Sequence, residues 1–194
     1  MRLWHYSLLE NNLLPKSQLV SQWRELNSIF AKQDNHILIN YIYDYDETYL
    51  AQYTKIVLLD MQKRGYSIKK WDNFNTYFFN YKVVPASDFT SAINVLETFL
   101  NDDIILSYEE HNDRYLLQCF MNLQEKYYAK QKDFDDVTYR KLLEFIKEQG
   151  FTVQCEWWIY SQKLWLLENW KITRFYERER FNIVVKVGGV SNDK

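Results

Sequence analysis

The chain has 194 residues with a formal net charge of −2 and a pI near 6.0. Apolar residues make up 47% and aromatics 18%, a composition that builds a sizeable core and excludes a disordered chain. Four glycines and two prolines favour a helix-heavy chain and leave no glycine-rich loop for a mononucleotide or dinucleotide.

Two cysteines, Cys119 and Cys155, are too few for a disulfide framework or a structural zinc site and read as buried thiols. Three scattered histidines without carboxylate spacing make no metal site, and no cofactor is expected. The start lacks the apolar region of a signal peptide. No apolar run approaches about 18 residues, so no membrane contact is expected and the cytoplasm is the expected compartment. An acidic balance also weighs against purely electrostatic DNA binding.

In chain order, Met1-Arg2-Leu3-Trp4-His5 leads into a turn-like stretch with Asn11-Asn12 and Pro15. Leu19, Trp23, Leu26 and Phe30 then recur at helical spacing. Gln18, Gln22 and Glu25 fall on a polar strip beside that stripe, with Arg24 next to it. Residues 31–39 read as a connection, and 40–46 as a buried extended piece or the entry to a helix. A helix is predicted over Thr48–Arg64, with Leu50, Tyr53, Val57 and Met61 on one face. Lys63-Arg64 and then Gly65 supply a basic-then-glycine stop.

Residues 66–86 read as irregular, with room for one short strand. A third helix starts at a Ser87 cap, with Phe89, Ile93, Leu96 and Leu100 as its stripe and Asn101-Asp102-Asp103 as its end. A fourth follows Tyr108-Glu109-Glu110-His111-Asn112-Asp113, with Leu116, Cys119 or Phe120, Leu123 and Tyr127 inward. A fifth is capped by Asp136, buries Leu142, Phe145 and Ile146, and ends at Gly150. From Phe151 onward β-branched and aromatic residues alternate, which predicts two or three antiparallel strands. The expected fold is therefore mainly α with a small antiparallel β appendage at the C-terminus. A helical core would span 1–130, and a helix plus β extension 131–194. The later Trp157-Trp158, Trp165 and Trp170 read as core or interface, and the basic residues among them as a solvated β-face.

Two stretches resemble the pyrimidine-dimer DNA glycosylase, or endonuclease V-like, family. Arg24-Glu25-Leu26 matches its Arg-Glu-Leu core behind a short N-terminal arm. Met1-Arg2-Leu3-Trp4-His5, Gln18 to Glu25 and the Tyr-x-x-His-Asn-Asp run from Tyr108 to Asp113 look like its bacterial branch. Lys63-Arg64-Gly65-Tyr66 is also similar. The likeness covers about residues 1–66 and 108–126. Ser28 and Trp23 depart from it, standing where relatives carry arginine and often histidine.

The resemblance implies a DNA-repair glycosylase with AP-lyase activity, acting on damaged double-stranded DNA. The amine of Met1 and the carboxylate of Glu25 would be the catalytic pair. Arg2, Arg24, Gln18, Gln22, His111 and Asn112 would bind substrate. Because the bulk of Arg2 normally prevents removal of the initiator methionine, the matching amine is that of Met1 itself.

An α-amine ionises near 7.7–8.0 and so keeps a useful neutral fraction at physiological pH, unlike lysine. A neighbouring carboxylate stabilises the cationic imine that follows attack on a sugar carbon, and moves protons. The residues alone also fit a blander assignment: Glu25 as a surface helix position, His111 as a helix-entry residue, and His5 and His36 as structural groups. The alternative function is a non-catalytic module that binds nucleic acid or protein on the same helical scaffold.

Overall fold

The computed structural model describes residues 2–33, 36–100, 107–152 and 186–187. Seven α-helices account for most of these: α1 (Tyr6–Glu10), α2 (Lys16–Ala31), α3 (Glu47–Lys63), α4 (Asp72–Tyr77), α5 (Phe89–Glu97), α6 (Asp113–Tyr128) and α7 (Asp136–Glu148). The ambiguous 40–46 stretch is a 3₁₀ turn over Asn40–Asp44. The mainly helical class holds. Of the expected β appendage, Phe151–Thr152 (β1) pairs antiparallel with Lys186–Val187 (β2), Phe151 opposite Val187. The rest of the predicted strands lies outside the described residues.

The long helices follow their sequence patterns. α2 buries Leu19, Trp23, Leu26, Ile29 and Phe30, the stripe that its period requires. Trp23 meets Trp71 at 5.5 Å between ring centroids, and Phe30 meets Phe74 at 6.0 Å and Phe78 at 5.3 Å. This aromatic seam joins α2 to α4. It accounts for tryptophan at position 23, which is a core residue here.

α3 starts at Asp46, whose carboxylate accepts from the Thr48 amide at 3.0 Å, and ends in a complete C-terminal lock. The Gly65 amide donates to Gln62 O (3.0 Å) and the Tyr66 amide to Met61 O (3.1 Å), with Gly65 at φ +73°. This left-handed geometry is what glycine permits. Arg64 also holds buried Asp60 (2.6 and 3.0 Å) and reaches the Leu14 carbonyl (2.7 Å). The end of α3 is thereby tied to the turn before α2.

Some local expectations are corrected. α1 and α4 occupy stretches read as turn-like and irregular. The cap of α5 is Asp88, in a reciprocal capping box with Ser91, one residue after Ser87. The stripe of α5 is Ala92, Val95 and Leu96, while Phe89, Ile93 and Leu100 are only partly buried. The helix stops at Glu97, and the expected end at 101–103 lies outside the described residues. Asp135 caps α7 through the Thr138 amide (2.8 Å), so Asp136 is the first helical residue. α6 buries Leu116, Cys119, Phe120 and Leu123 as predicted, with Asn112 as its cap. One hydrophobic cluster runs from Leu3 to Phe151.

Candidate active site around the N-terminal arm

Residues 2–5 form an arm that lies in no helix and pairs with no strand among the described residues. Leu3, Trp4 and His5 are buried, so their backbone polar groups need partners away from water. Side chains from three helices supply them. The Arg2 amide donates to Glu25 Oε2 at 3.0 Å. The Trp4 amide donates to Gln22 Oε1 at 2.8 Å. The Tyr53 hydroxyl lies 2.7 Å from the Trp4 carbonyl and 3.0 Å from Gln22 Oε1. The Tyr115 hydroxyl donates to the Leu3 carbonyl.

The arm then turns into α1 at His5. Its Nδ1 faces the Ser7 amide (3.3 Å) and hydroxyl (2.7 Å), and its Nε2 lies 2.8 Å from the His111 carbonyl. A carbonyl only accepts, so Nε2 carries the hydrogen and Nδ1 is the acceptor that caps α1. Burial lowers the His5 pKa, partly offset by that carbonyl and by Asp113, which agrees with a neutral ring.

Glu25 is half-buried beside the arm. Burial raises its pKa, opposed by the Arg2 amide and by nearby positive charge. A carboxyl held in this way exchanges protons closer to neutral pH than an exposed glutamate does. The Arg2 guanidinium lies over the Trp4 ring, 5.6 Å from its centroid, and its Nη1 is buried without a hydrogen-bond partner. Gln22 Nε2 is likewise unpartnered. Among the described residues, these two buried donors have no hydrogen-bond acceptor.

The expected site residues divide. Arg2 and Glu25 meet through the Arg2 amide, and Arg24, next to Glu25 in sequence, is exposed. Met1 lies outside the described residues. Gln22 is displaced from the expected polar strip into the interior, with 0% exposure, because its amide satisfies the arm. Gln18 sits farther along α2, where its amide reaches Gln131 Oε1 at 3.3 Å. Asn112 caps α6 through the Tyr115 amide at 3.2 Å.

His111 is enclosed, 5% exposed, and not presented at a surface. Its ring stacks against both His5 (5.5 Å) and Tyr115 (5.1 Å), and Tyr41 Oη lies 2.9 Å from its Nε2. Burial, and to a lesser extent His5, lower its pKa to about 3.

Sequence reasoning missed Tyr53 and Tyr115 as partners of the arm. Both sit at helical positions that a tyrosine fills through its ring alone. The signal that points to them is the combination of a buried ring with a hydroxyl that needs a partner. Among the described residues no three His, Cys, Asp or Glu side chains form a metal-binding group, and no helix is long and apolar enough to cross a membrane.

No curated protein and no solved structure matches the chain. The model of the pyrimidine dimer DNA glycosylase family matches residues 1–73, a span that holds the whole arm, Gln22, Glu25 and Tyr53. Residues 1–73 are thus similar to the pyrimidine dimer DNA glycosylase family, and the match supports a DNA-repair glycosylase role.

Proposed function

We propose that the protein removes a damaged base from DNA and then cleaves the strand, using its N-terminal α-amine as nucleophile and Glu25 as the assisting carboxylate. The observation that carries this reading is the 3.0 Å hydrogen bond from the Arg2 amide to Glu25 Oε2. One peptide unit separates the Arg2 nitrogen from the α-carbon of residue 1. Standard bond lengths therefore keep the α-amine within about 4 Å of that nitrogen, and so within about 7 Å of the carboxylate oxygen, in any conformation of residue 1. A substrate sugar carbon fits between groups at that separation.

In the proposed sequence the neutral amine attacks C1′ of the damaged nucleotide. The C1′–N bond breaks, and the base leaves with the bonding pair and a proton. The sugar ring opens as O4′ takes a proton, which leaves a cationic imine between C1′ and the terminal nitrogen. Loss of a C2′ proton then expels the 3′ phosphate, and water releases the enzyme. Glu25 stabilises the cation and relays the protons, a task suited to its raised pKa. Arg2 and Arg24 are assigned to phosphate oxygens. Extrusion of the nucleotide is easier at damaged sites, where stacking and pairing are already weakened.

Borohydride reduction tests the reading. Protein with a free α-amine is mixed with duplex DNA carrying an abasic site or a pyrimidine dimer, reduced, and run on a denaturing gel. The expected result is a covalent adduct that disappears when the α-amine is blocked, with Glu25→Gln losing strand cleavage. No adduct from protein whose N-terminus is verified free overturns the mechanism and leaves the non-catalytic module.

A further inference from the structure

We infer that Tyr115 on α6 is a positioning residue for the N-terminal amine: its hydroxyl clamps the Leu3–Trp4 peptide from one side while Gln22 clamps it from the other. The inference rests on the α-amine reading above. Tyr115 lies outside the segment that the family model matches.

The peptide between Leu3 and Trp4 is gripped at both of its polar atoms. Its carbonyl accepts from Tyr115 Oη, and its N–H donates to Gln22 Oε1 at 2.8 Å. Those two partners come from α6 and α2, so the plane of this peptide is fixed by two separate elements. The preceding amide, Arg2 N–H, is fixed by Glu25. With one peptide held at both of its polar atoms and the preceding amide anchored, the backbone of Arg2 and Leu3 is restrained at both ends.

The two anchors nearest the terminus differ in kind. In the proposed reaction Glu25 changes its protonation and its partners. A hydrogen bond that the chemistry itself disturbs cannot alone keep the arm in register. Tyr115 takes no part in proton transfer: burial pushes its phenol well above the ordinary range, so the hydroxyl keeps its proton and keeps donating. Leu3 is fully buried, and its carbonyl loses this donor when the hydroxyl is removed. Glu25 on α2 is the group coupled electrostatically to the terminus, and Arg2 on the arm and His36 after α2 bear on Glu25 in turn.

The test compares wild type with Tyr115→Phe, Tyr53→Phe and Tyr45→Phe in the full chain. Tyr45 belongs to the same aromatic cluster, but its hydroxyl pairs with Glu110 at 2.9 Å and does not touch the arm. Two readouts are taken on each protein, with thermal unfolding as the check of folding. The first is the single-turnover rate of borohydride-trapped adduct on abasic-site duplex, alongside the Kd for that duplex. The second is the titration midpoint of the α-amine after ¹³C-reductive methylation, read by NMR without DNA.

Tyr115→Phe is expected to slow trapping about tenfold or more, since sub-ångström misplacement of a nucleophile carries losses of that order, at unchanged Kd. It is also expected to move the amine midpoint down, as the amine leaves the carboxylate. Tyr53→Phe loosens the opposite clamp and shifts both readouts in the same direction, and it stands in if Tyr115→Phe does not fold. Tyr45→Phe changes neither. Folded Tyr115→Phe protein with wild-type rate and midpoint overturns the inference, as does an equal effect from Tyr45→Phe. If wild type gives no adduct, the imine mechanism fails, and the midpoint alone decides whether Tyr115 places the amine.

Discussion

The Glu25 carboxylate accepts the Arg2 amide at 3.0 Å in surroundings that favour its neutral form, because the cost of burial exceeds what the amide and nearby positive charge return. A glutamine at that position still offers an oxygen to the Arg2 amide and carries no charge to desolvate. Glu25→Gln is therefore expected to lose strand cleavage while its Tm at pH 7 stays level or rises. A gain of up to about 1 kcal/mol would raise Tm by about 2–4 °C in a chain of this size. A folded pKa above the unfolded value means that the stabilising contribution of Glu25 is present at low pH and is lost as pH rises through the folded pKa. The difference between the two proteins should accordingly shrink toward pH 4. A large fall in Tm at pH 7 would mean that the ionised carboxylate holds the arm together and is not poised for chemistry.

His111 makes the opposite pH argument. Its folded pKa of about 3 lies below the ordinary value of 6.5. Between those two values the unfolded chain binds a proton that the folded chain refuses, so stability falls as pH drops from 6.5 toward 3, by at most about 1.36 kcal/mol per unit. Replacing His111 with Phe keeps an aromatic ring in the stack and removes the titration. Urea unfolding from pH 7 to 4 should show a shallower acid slope in His111→Phe than in wild type, with a residual slope from His5, whose pKa is also lowered. Parallel slopes would place the acid sensitivity elsewhere.

The division between what the sequence revealed and what it hid follows the range of the forces involved. α2, α3 and α6 were legible because each carries four or more turns of apolar period, and burial of that face is their main source of stability. α1 and α4 have five and six residues, less than two turns, and no period can be read from so few positions. The Asp88 and Asp135 caps each lie one residue from the expected caps, because either of two adjacent polar residues satisfies the same motif at the level of sequence.

At the site, the resemblance and not any spacing assigns Met1 and Glu25 to one catalytic pair with Arg2 beside them, and the fold joins the Arg2 amide to Glu25 across 23 positions. Gln22 and His111 were read as polar and therefore accessible. The structure buries both because the arm's unpaired backbone and the stack of rings around His5 need them inside. Such demands come from tertiary partners and leave no local pattern.

Asp133 provides a test of how firmly α2 holds Glu25 in place. Pro15 begins α2 without a side-chain cap. The cap comes instead from the α6–α7 connection, where the Asp133 carboxylate accepts from the Ser17 amide and, at 3.0 Å, from the Ser17 hydroxyl. Burial works against the Asp133 charge, but the hydrogen bonds from Ser17 and Gln131 outweigh it and lower its pKa. Asp133→Ala should cost about 1 kcal/mol, the usual value of an N-cap, and lower Tm by about 2–4 °C. Wild type should lose the same increment as pH falls through the lowered Asp133 pKa, and the variant should not. Hydrogen exchange at the Ser17 and Gln18 amides is the direct measurement, and unchanged protection there would rule out the cap.

Arg24 separates binding from folding. It is exposed, and among the described residues no hydrogen bond or ion pair holds it, so removing its charge should change stability by no more than about 0.5 kcal/mol. The chain carries a net charge of −2, so any attraction to DNA has to come from a few local cations, and each of them counts. If Arg24 neutralises one phosphate, Arg24→Gln lowers the slope of log K against log salt by about 0.9, the value for one released counterion. Affinity should then fall several-fold at low salt and by less as salt rises. Fluorescence anisotropy with an abasic-site duplex across about 50–300 mM salt measures both quantities. A salt slope identical to wild type would remove Arg24 from the DNA-facing surface. A reduced slope with an unchanged single-turnover rate at saturating DNA would assign it to holding the duplex and leave the chemistry to the arm and Glu25.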